Sequence, residues 1–181
     1  TFASLLHHEA CGHGFAKLAD EYYHDGTTIS EAEVIYLQAF NALGWYMNVD
    51  TVSDPSKVRW AKFLSDERYS DQGLGIFEGG YVYQFGVYRP TETSIMRYNT
   101  GGFNAPSREA IYYRIHKLAH GASWEYDYEK FVEWDVKNRA TTTRGVPYRL
   151  EIPKDFKPLH APVIVNKSWH DCYATCIMQK E

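Results

Sequence analysis

An α+β domain, mostly helical, is the fold class that this sequence of 181 residues predicts. Three patterns carry the expectation: a histidine- and acid-bearing helical segment near the start, capped runs of helical periodicity after Ser30 and Pro106, and short Tyr, Val, Ile and Phe runs broken by glycines between Gly73 and Pro90. A chain of this length buries roughly 70% of the surface its unfolded form exposes, enough for a sizeable core. The expected organisation is one region over 1–138 followed by a β-rich C-terminal extension over 139–181.

The segment from His7 to Tyr22 reads HHEACGHGFAKLADEY. Histidine nitrogens and carboxylate oxygens gathered in so short a stretch suggest a zinc site. In the common zinc-hydrolase signature, H-E-x-x-H, two histidines four residues apart share one helix face and the glutamate serves as base. Here Ala10, Cys11 and Gly12 separate Glu9 from His13, so the spacing is H-E-x-x-x-H. On a regular α-helix, residues five apart point about 140° away from each other, against about 40° for residues four apart. A π-type turn around Cys11 and Gly12 repairs this, because i→i+5 bonding absorbs one residue and such turns occur mostly at functional sites. Gly12 stands where the backbone is expected to deform. His8 and His13 are thus candidate ligands and Glu9 a candidate base, with the acids Asp20 and Glu21 downstream. His7 and Cys11, an i,i+4 pair, are the internal competitor as ligands, and choosing them takes Glu9 from its place beside a ligand.

The remaining elements follow in order. Ser30-Glu31-Ala32-Glu33 is a capping box that opens a helix through about Leu43, and Gly44 ends it. Asp54-Pro55 starts a second helix, with proline at its first position and Val58, Ala61, Phe63 and Leu64 largely on one side. Gly73 to Pro90 reads as strands or extended loops, in which Glu78 suits a solvent-facing strand position. Pro106 and Ser107 begin a helix through about His120, with Ser107 as N-cap and Gly121 as the stop. His116 and His120 have metal-binding spacing on this helix, yet Lys117 rather than a glutamate follows His116, and protonated histidine suits a helix's last turn. Helical character resumes over Glu125–Trp134, 139–145 reads as a linker, and Val146–Ile152 and Ala161–Val165 resemble strands.

Thr93 to Asn99, TSIMRYN, resembles the methionine turn of the metzincin zinc peptidases. Taken together, HEACGHGFAKLADEY, GIFEGGYVYQFGVYRPTETSIMRYN and FNAPSREAIYYRI resemble the IgA-protease family of metalloendopeptidases, metallopeptidase family sixty-four, in particular its Bacteroidetes-type members. The resemblance runs from about His7 to about Gly121, with several motifs recurring in order. It implies a metzincin-like zinc peptidase catalytic domain over 1–138, a Zn2+ ion, a water nucleophile activated by a glutamate, and hydrolysis of peptide bonds in a protein substrate. By the same resemblance His8 and His13 are ligands, Glu9 is the general base, Met96 forms the apolar floor and Tyr98 is a transition-state donor.

A typical metzincin continues H-x-x-G-x-x-H or D, in which the glycine breaks the helix. In this chain Ala16 takes the glycine's place and the first acid, Asp20, lies seven residues beyond His13. A helix continuing straight on carries Asp20 about 10 Å away, so the chain must turn back between Gly14 and Ala19 or the third ligand lies elsewhere. Asp20 is favoured as third ligand, with Glu21 as its alternative. Metzincins also have a sheet before this helix, and none precedes it here. The chain is therefore expected to be a fragment or processed piece that associates with an N-terminal portion of the same protein. The family implies a secreted or cell-envelope location, with no signal peptide in this chain.

A net charge of −4 offers no basic footprint, which argues against nucleic acid as a partner. No apolar run approaches the ~20 residues of a membrane-spanning helix. Three cysteines, Cys11, Cys172 and Cys176, do not make a disulfide scaffold. Two other functions compete with the endopeptidase. One is a peptide-maturation protease with a similar HEAxGHG segment, from a family that lacks the methionine turn. The other is a non-catalytic module in which Trp45, Tyr81, Tyr83 and Tyr88 stack against carbohydrate or protein, although aromatics more often serve core or interface.

Overall fold

Thr1 caps the first helix, its hydroxyl accepting the Ser4 N–H at 3.2 Å, and α1 (Phe2–Leu6) runs directly into a π-helix over His7–Ala16. The computed structural model divides the chain into two units, Thr1–Thr142 and Thr143–Glu181, and describes residues 1–139. The C-terminal strands expected from sequence, and Cys172 and Cys176, lie outside the described residues. After the π-helix come β1 (Tyr23–Thr28), α2 (Glu31–Ala42), α3 (Ala61–Ser65), a 3-10 turn (Glu67–Tyr69), β2 (Leu74–Gly80), β3 (Val82–Thr91), α4 (Ile95–Tyr98), α5 (Ala105–His120) and α6 (Tyr128–Asn138). The fold is α+β, with one small three-stranded sheet among the described residues.

β3 is the central strand, parallel to β1 (Tyr23 beside Val82) and antiparallel to β2 (Phe77 beside Arg89). The β2–β3 connection is a two-residue hairpin turn whose central residues, Tyr81 and Val82, have φ of 49° and 65°. Positive φ at both positions matches the twist of the flanking strands but is normally left to Asn-Gly, and a β-branched valine there is strained. The surrounding structure holds it in place. Tyr81 donates its N–H to the Asp20 carbonyl at 2.8 Å, and Val82 donates to that of Tyr22 at 3.1 Å. The strained turn is thereby fastened to the segment that leads out of the candidate ligand loop.

Three apolar clusters lie behind these elements. Trp60, Phe63, Tyr69, Tyr112 and Phe131 make the largest, joining α3 to α5 and α6, and the Trp60 indole donates to the Gly75 carbonyl at 2.8 Å. Arg108 on α5 grips the fully buried Asp135 on α6 with two bonds of 2.6 and 2.9 Å. Ala16, Leu18, Ile95 and Met96 form a second cluster between the π-helix and α4. Ala19, Leu37, Val49 and Val87 form a third, between α2 and β3.

Several local expectations change in the folded chain. α2 starts as its capping box requires, with Ser30 Oγ accepting the Glu33 N–H at 3.3 Å. The helix expected from Asp54 begins only at Ala61, because the Asp54 side chain accepts the Ser56 N–H at 2.9 Å and Asp50 takes the Arg59 N–H at 2.9 Å, folding the intervening residues into turns. Asn104, not Ser107, caps α5, accepting the Ser107 N–H at 3.2 Å. His116 stacks against Trp124 at 5.1 Å and His120 at 5.4 Å between ring centroids, an aromatic packing role. Glu78 is exposed and accepts the Gly86 N–H at 3.1 Å across the hairpin. No helix among the described residues is long and apolar enough to cross a membrane.

Candidate metal centre

The i→i+5 register of the π-helix brings residues five apart to the same side, so His8 and His13 converge although they are one residue too far apart for an α-helix. The register covers ten residues, His7–Ala16, rather than the single turn expected around Cys11 and Gly12. Gly12 lies inside this register and has a steric role as well. A Cβ at this position would lie 2.5 Å from Met96 Sδ and 2.9 Å from its Cε, so glycine makes room for the fully buried methionine of α4.

Each imidazole is oriented from behind. His8 Nδ1 is 2.8 Å from the Ile95 carbonyl, and His13 Nδ1 is 2.8 Å from that of Leu18. A carbonyl oxygen only accepts, so both Nδ1 atoms carry hydrogen, and in the neutral rings both Nε2 atoms present lone pairs. These two atoms stand 3.1 Å apart, and Asp20 Oδ1 lies 3.0 Å from the first and 3.1 Å from the second. Three electron-pair donors facing one point repel one another unless a proton or a cation lies among them. Donors at zinc-ligand distances of about 2.0–2.2 Å in a tetrahedron are about 3.3–3.5 Å apart, close to the triangle seen here. Two imidazoles and a carboxylate also leave a fourth position open, the donor set of catalytic zinc sites. His8, His13 and Asp20 form the one such group of potential ligands among the described residues.

The electrostatics reflect this crowding. His13 is pushed up from its ordinary value, first by its hydrogen bond to Asp20, against the opposing effect of burial. Burial alone would raise Asp20, but the His13 bond and the charges of His13 and His8 hold its carboxyl below the usual range.

Asp20 reaches the histidines because the chain reverses at Lys17, whose left-handed backbone (φ 58°) ends the π-helix. The next acid, Glu21, points the other way and is completely buried. Its carboxylate accepts from Asn48 Nδ2 at 2.9 Å, Ser94 Oγ at 2.5 Å and Asn104 Nδ2 at 2.8 Å. Burial pushes this carboxyl up, and the three donors oppose the shift. Asn48 also embraces Ala19, accepting its N–H at 2.8 Å and donating to its carbonyl at 2.9 Å. Glu21 N–H bonds the Met96 carbonyl at 2.9 Å. The candidate ligand loop is therefore bound to α4, to the α5 cap and to the loop after α2. Ser94 and Asn104 stand within the motifs TSIMRYN and FNAPSREAIYYRI, but nothing in the sequence shows that they hold Glu21, and Asn48 carries no signal beyond its polar character beside apolar runs.

Glu9 is exposed on the π-helix next to His8, and its charge contributes to the raised proton affinity of His13. Tyr98 is half-exposed, with the Arg97 guanidinium 4.5 Å above its ring, and makes no hydrogen bond to the three potential ligands. A second phenol stands nearer: Tyr22 is raised first by burial and then by the carboxylate of Asp20, with Glu9 adding to it. His7 is exposed and Cys11 is a half-buried free thiol, and neither joins the ligand group.

Residues 62–115 match the family model described as IgA Peptidase M64. This is the family that the motifs resemble. The M64 match covers β2, β3, α4 and the first part of α5, and so contains Met96, Ser94 and Asn104, while His8, His13 and Asp20 lie before it. A peptidase, a hydrolase acting on a protein substrate, is what this partial M64 match supports. No curated protein matches the chain.

Proposed function

We propose that the protein is a zinc-dependent metalloendopeptidase of the metzincin type. The observation that carries this reading is the convergence of His8 Nε2, His13 Nε2 and Asp20 Oδ1 within 3.0–3.1 Å of one another, with both rings locked in the tautomer that turns lone pairs inward. When bound, zinc supplies a Lewis acid that polarises a peptide carbonyl and lowers the pKa of water. The remaining work falls to the chain. Glu9, next to His8 and open to solvent, accepts a proton from the attacking water and returns it to the leaving amine. Met96 closes the floor beneath Gly12 and excludes water from that side. Tyr98 donates a hydrogen bond to the oxygen that gains charge in the transition state. Asp20, kept ionised, adds the negative charge that favours a dication over a proton.

The test is zinc stoichiometry and peptide cleavage for the wild type beside Glu9→Gln. The expected result is about one zinc per chain in both proteins and a loss of cleavage of about 10²-fold or more in the variant. A protein that binds no zinc overturns the reading.

A further inference from the structure

On the side where His13 and Asp20 are partly open to solvent, a cavity of about 520 Å³ opens directly beside them. Its far walls are Glu33, Tyr46, Tyr81 and Tyr83, with Val82 at the edge. The three tyrosines form a row, with ring centroids 5.4 Å apart for Tyr46 and Tyr81 and 6.3 Å apart for Tyr81 and Tyr83. Apart from His13, the ionisable groups of charge-bearing type on its walls are both acids, and no lysine or arginine lines it. Glu33 is anchored, since its carboxylate takes hydrogen bonds from the Tyr83 hydroxyl and from Ser30 Oγ, and these hold it below the ordinary carboxylate range.

Backbone strain gathers at this cavity. Of the five non-glycine residues with positive φ among the described residues, Tyr46, Tyr81 and Val82 line it, at 54°, 49° and 65°. Such conformations are unfavourable and persist where the surrounding structure imposes them. Here the imposing contacts run to the ligand loop, with Tyr81 N–H on Asp20 O at 2.8 Å and Tyr46 N–H on Lys17 O at 2.8 Å. The aromatic row is thus held at a fixed position relative to the histidines and Asp20.

We infer that this cavity is a specificity pocket for a basic side chain, lysine or arginine, of a peptide whose scissile bond lies at the His8–His13–Asp20 cluster. The inference rests on the peptidase reading and names the substrate class for that same site. Aromatic faces attract a cation through the ring quadrupole, and a carboxylate beyond them pairs with its charge. Because His13 and Asp20 belong to both the cluster and the pocket wall, the side chain that enters comes from a residue at or next to the scissile bond; one residue of extended peptide spans about 3.3–3.6 Å. An acidic side chain entering there meets Asp20 and Glu33 and is repelled.

Two measurements test this. The first is cleavage by the zinc-loaded wild type of matched peptides carrying lysine, norleucine or glutamate in turn at each position flanking the scissile bond. At one position the lysine peptide is expected to exceed its norleucine counterpart in kcat/KM by about tenfold or more. The second is equilibrium binding of the lysine and norleucine peptides to zinc-loaded Glu9→Gln, with and without Glu33→Gln. Lysine is expected to bind more tightly, and Glu33→Gln, which keeps a capping-box side chain for α2, is expected to erase the difference. Equal binding of the two peptides, or a Glu33→Gln variant that retains the lysine preference, overturns the pocket. A lysine preference in binding with no cleavage by wild type leaves the pocket standing and overturns the peptidase reading instead.

Discussion

Met96 places its sulfur 2.5 Å from the point where a Cβ on residue 12 would be, so the methionine of α4 can lie this close to the π-helix because residue 12 is glycine. The contact lies one residue from His13 and one residue from Ile95, whose carbonyl orients His8. Gly12→Ala is expected to destabilise the fold by about 1–3 kcal/mol through overpacking. A denaturant series checks this, and combining it with Met96→Ala should recover part of the loss. Equal, additive losses in the double variant would show that the two residues do not press on each other.

Asn48 is expected to act on metal binding without touching the metal. Its amide satisfies both backbone groups of Ala19 and one oxygen of the buried Glu21. Asn48→Ala leaves the two Ala19 groups unpaired in the interior and takes one of the donors from Glu21, whose Oε1 keeps its bond from Asn104, at a cost of about 2–4 kcal/mol. Zinc affinity should fall by about 10–100-fold, as when a ligand loses its supporting shell. Competition with a chelating dye measures it, and unchanged affinity in a folded variant removes Asn48 from this role.

A pH titration of stability addresses the α6 side of the domain. Asp66 is held down to about 2 by its bonds to Arg68, reinforced by the Arg68 N–H and the Tyr128 hydroxyl. Its folded pKa lies below its unfolded value near 3.8, so the unfolded chain binds more protons between the two. The stabilisation is present above about pH 4 and is lost as pH falls towards 2. With the partner Arg68 open to solvent and the pair screened accordingly, it should be on the order of 1 kcal/mol. Asp66→Asn should flatten the difference in urea midpoint between pH 5 and about 2.5, and a variant that keeps the wild-type slope would assign the effect to other carboxylates.

In the proposed mechanism two phenols are candidates for the transition-state donor. Tyr98→Phe is expected to lower kcat by about tenfold or more with little change in KM, because a donor to the developing charge acts only in the transition state. Tyr22→Phe tests the alternative, since this ring stands beside the Asp20 and Glu9 charges. If Tyr22→Phe alone carries the kcat loss, the role passes from the methionine-turn tyrosine to the ligand loop.

The parts of this molecule legible in the sequence are those set by local rules. Ser30 announced α2, Gly121 the end of α5, and the count of residues between His8 and His13 announced a π register. The parts that were not legible depend on contacts across long separations. Glu21 reads like Asp20 in sequence, and only Asn48, Ser94 and Asn104, up to 83 positions away, show that one acid faces the histidines and the other faces the interior. The same bonds explain why Asn104 rather than Ser107 caps α5: one side chain caps the helix with its oxygen and holds Glu21 with its nitrogen. The steric role of Gly12 depends on where Met96 lies, which no local rule supplies.

The π register separates ligand spacing from chain length. Its i→i+5 bonding is kept over ten residues, so the residue in excess of H-E-x-x-H is shared along the segment instead of looping out at one point. A search keyed to histidines four residues apart therefore passes over this chain, although the Nε2 atoms of His8 and His13 meet Asp20 Oδ1 in a triangle of 3.0–3.1 Å.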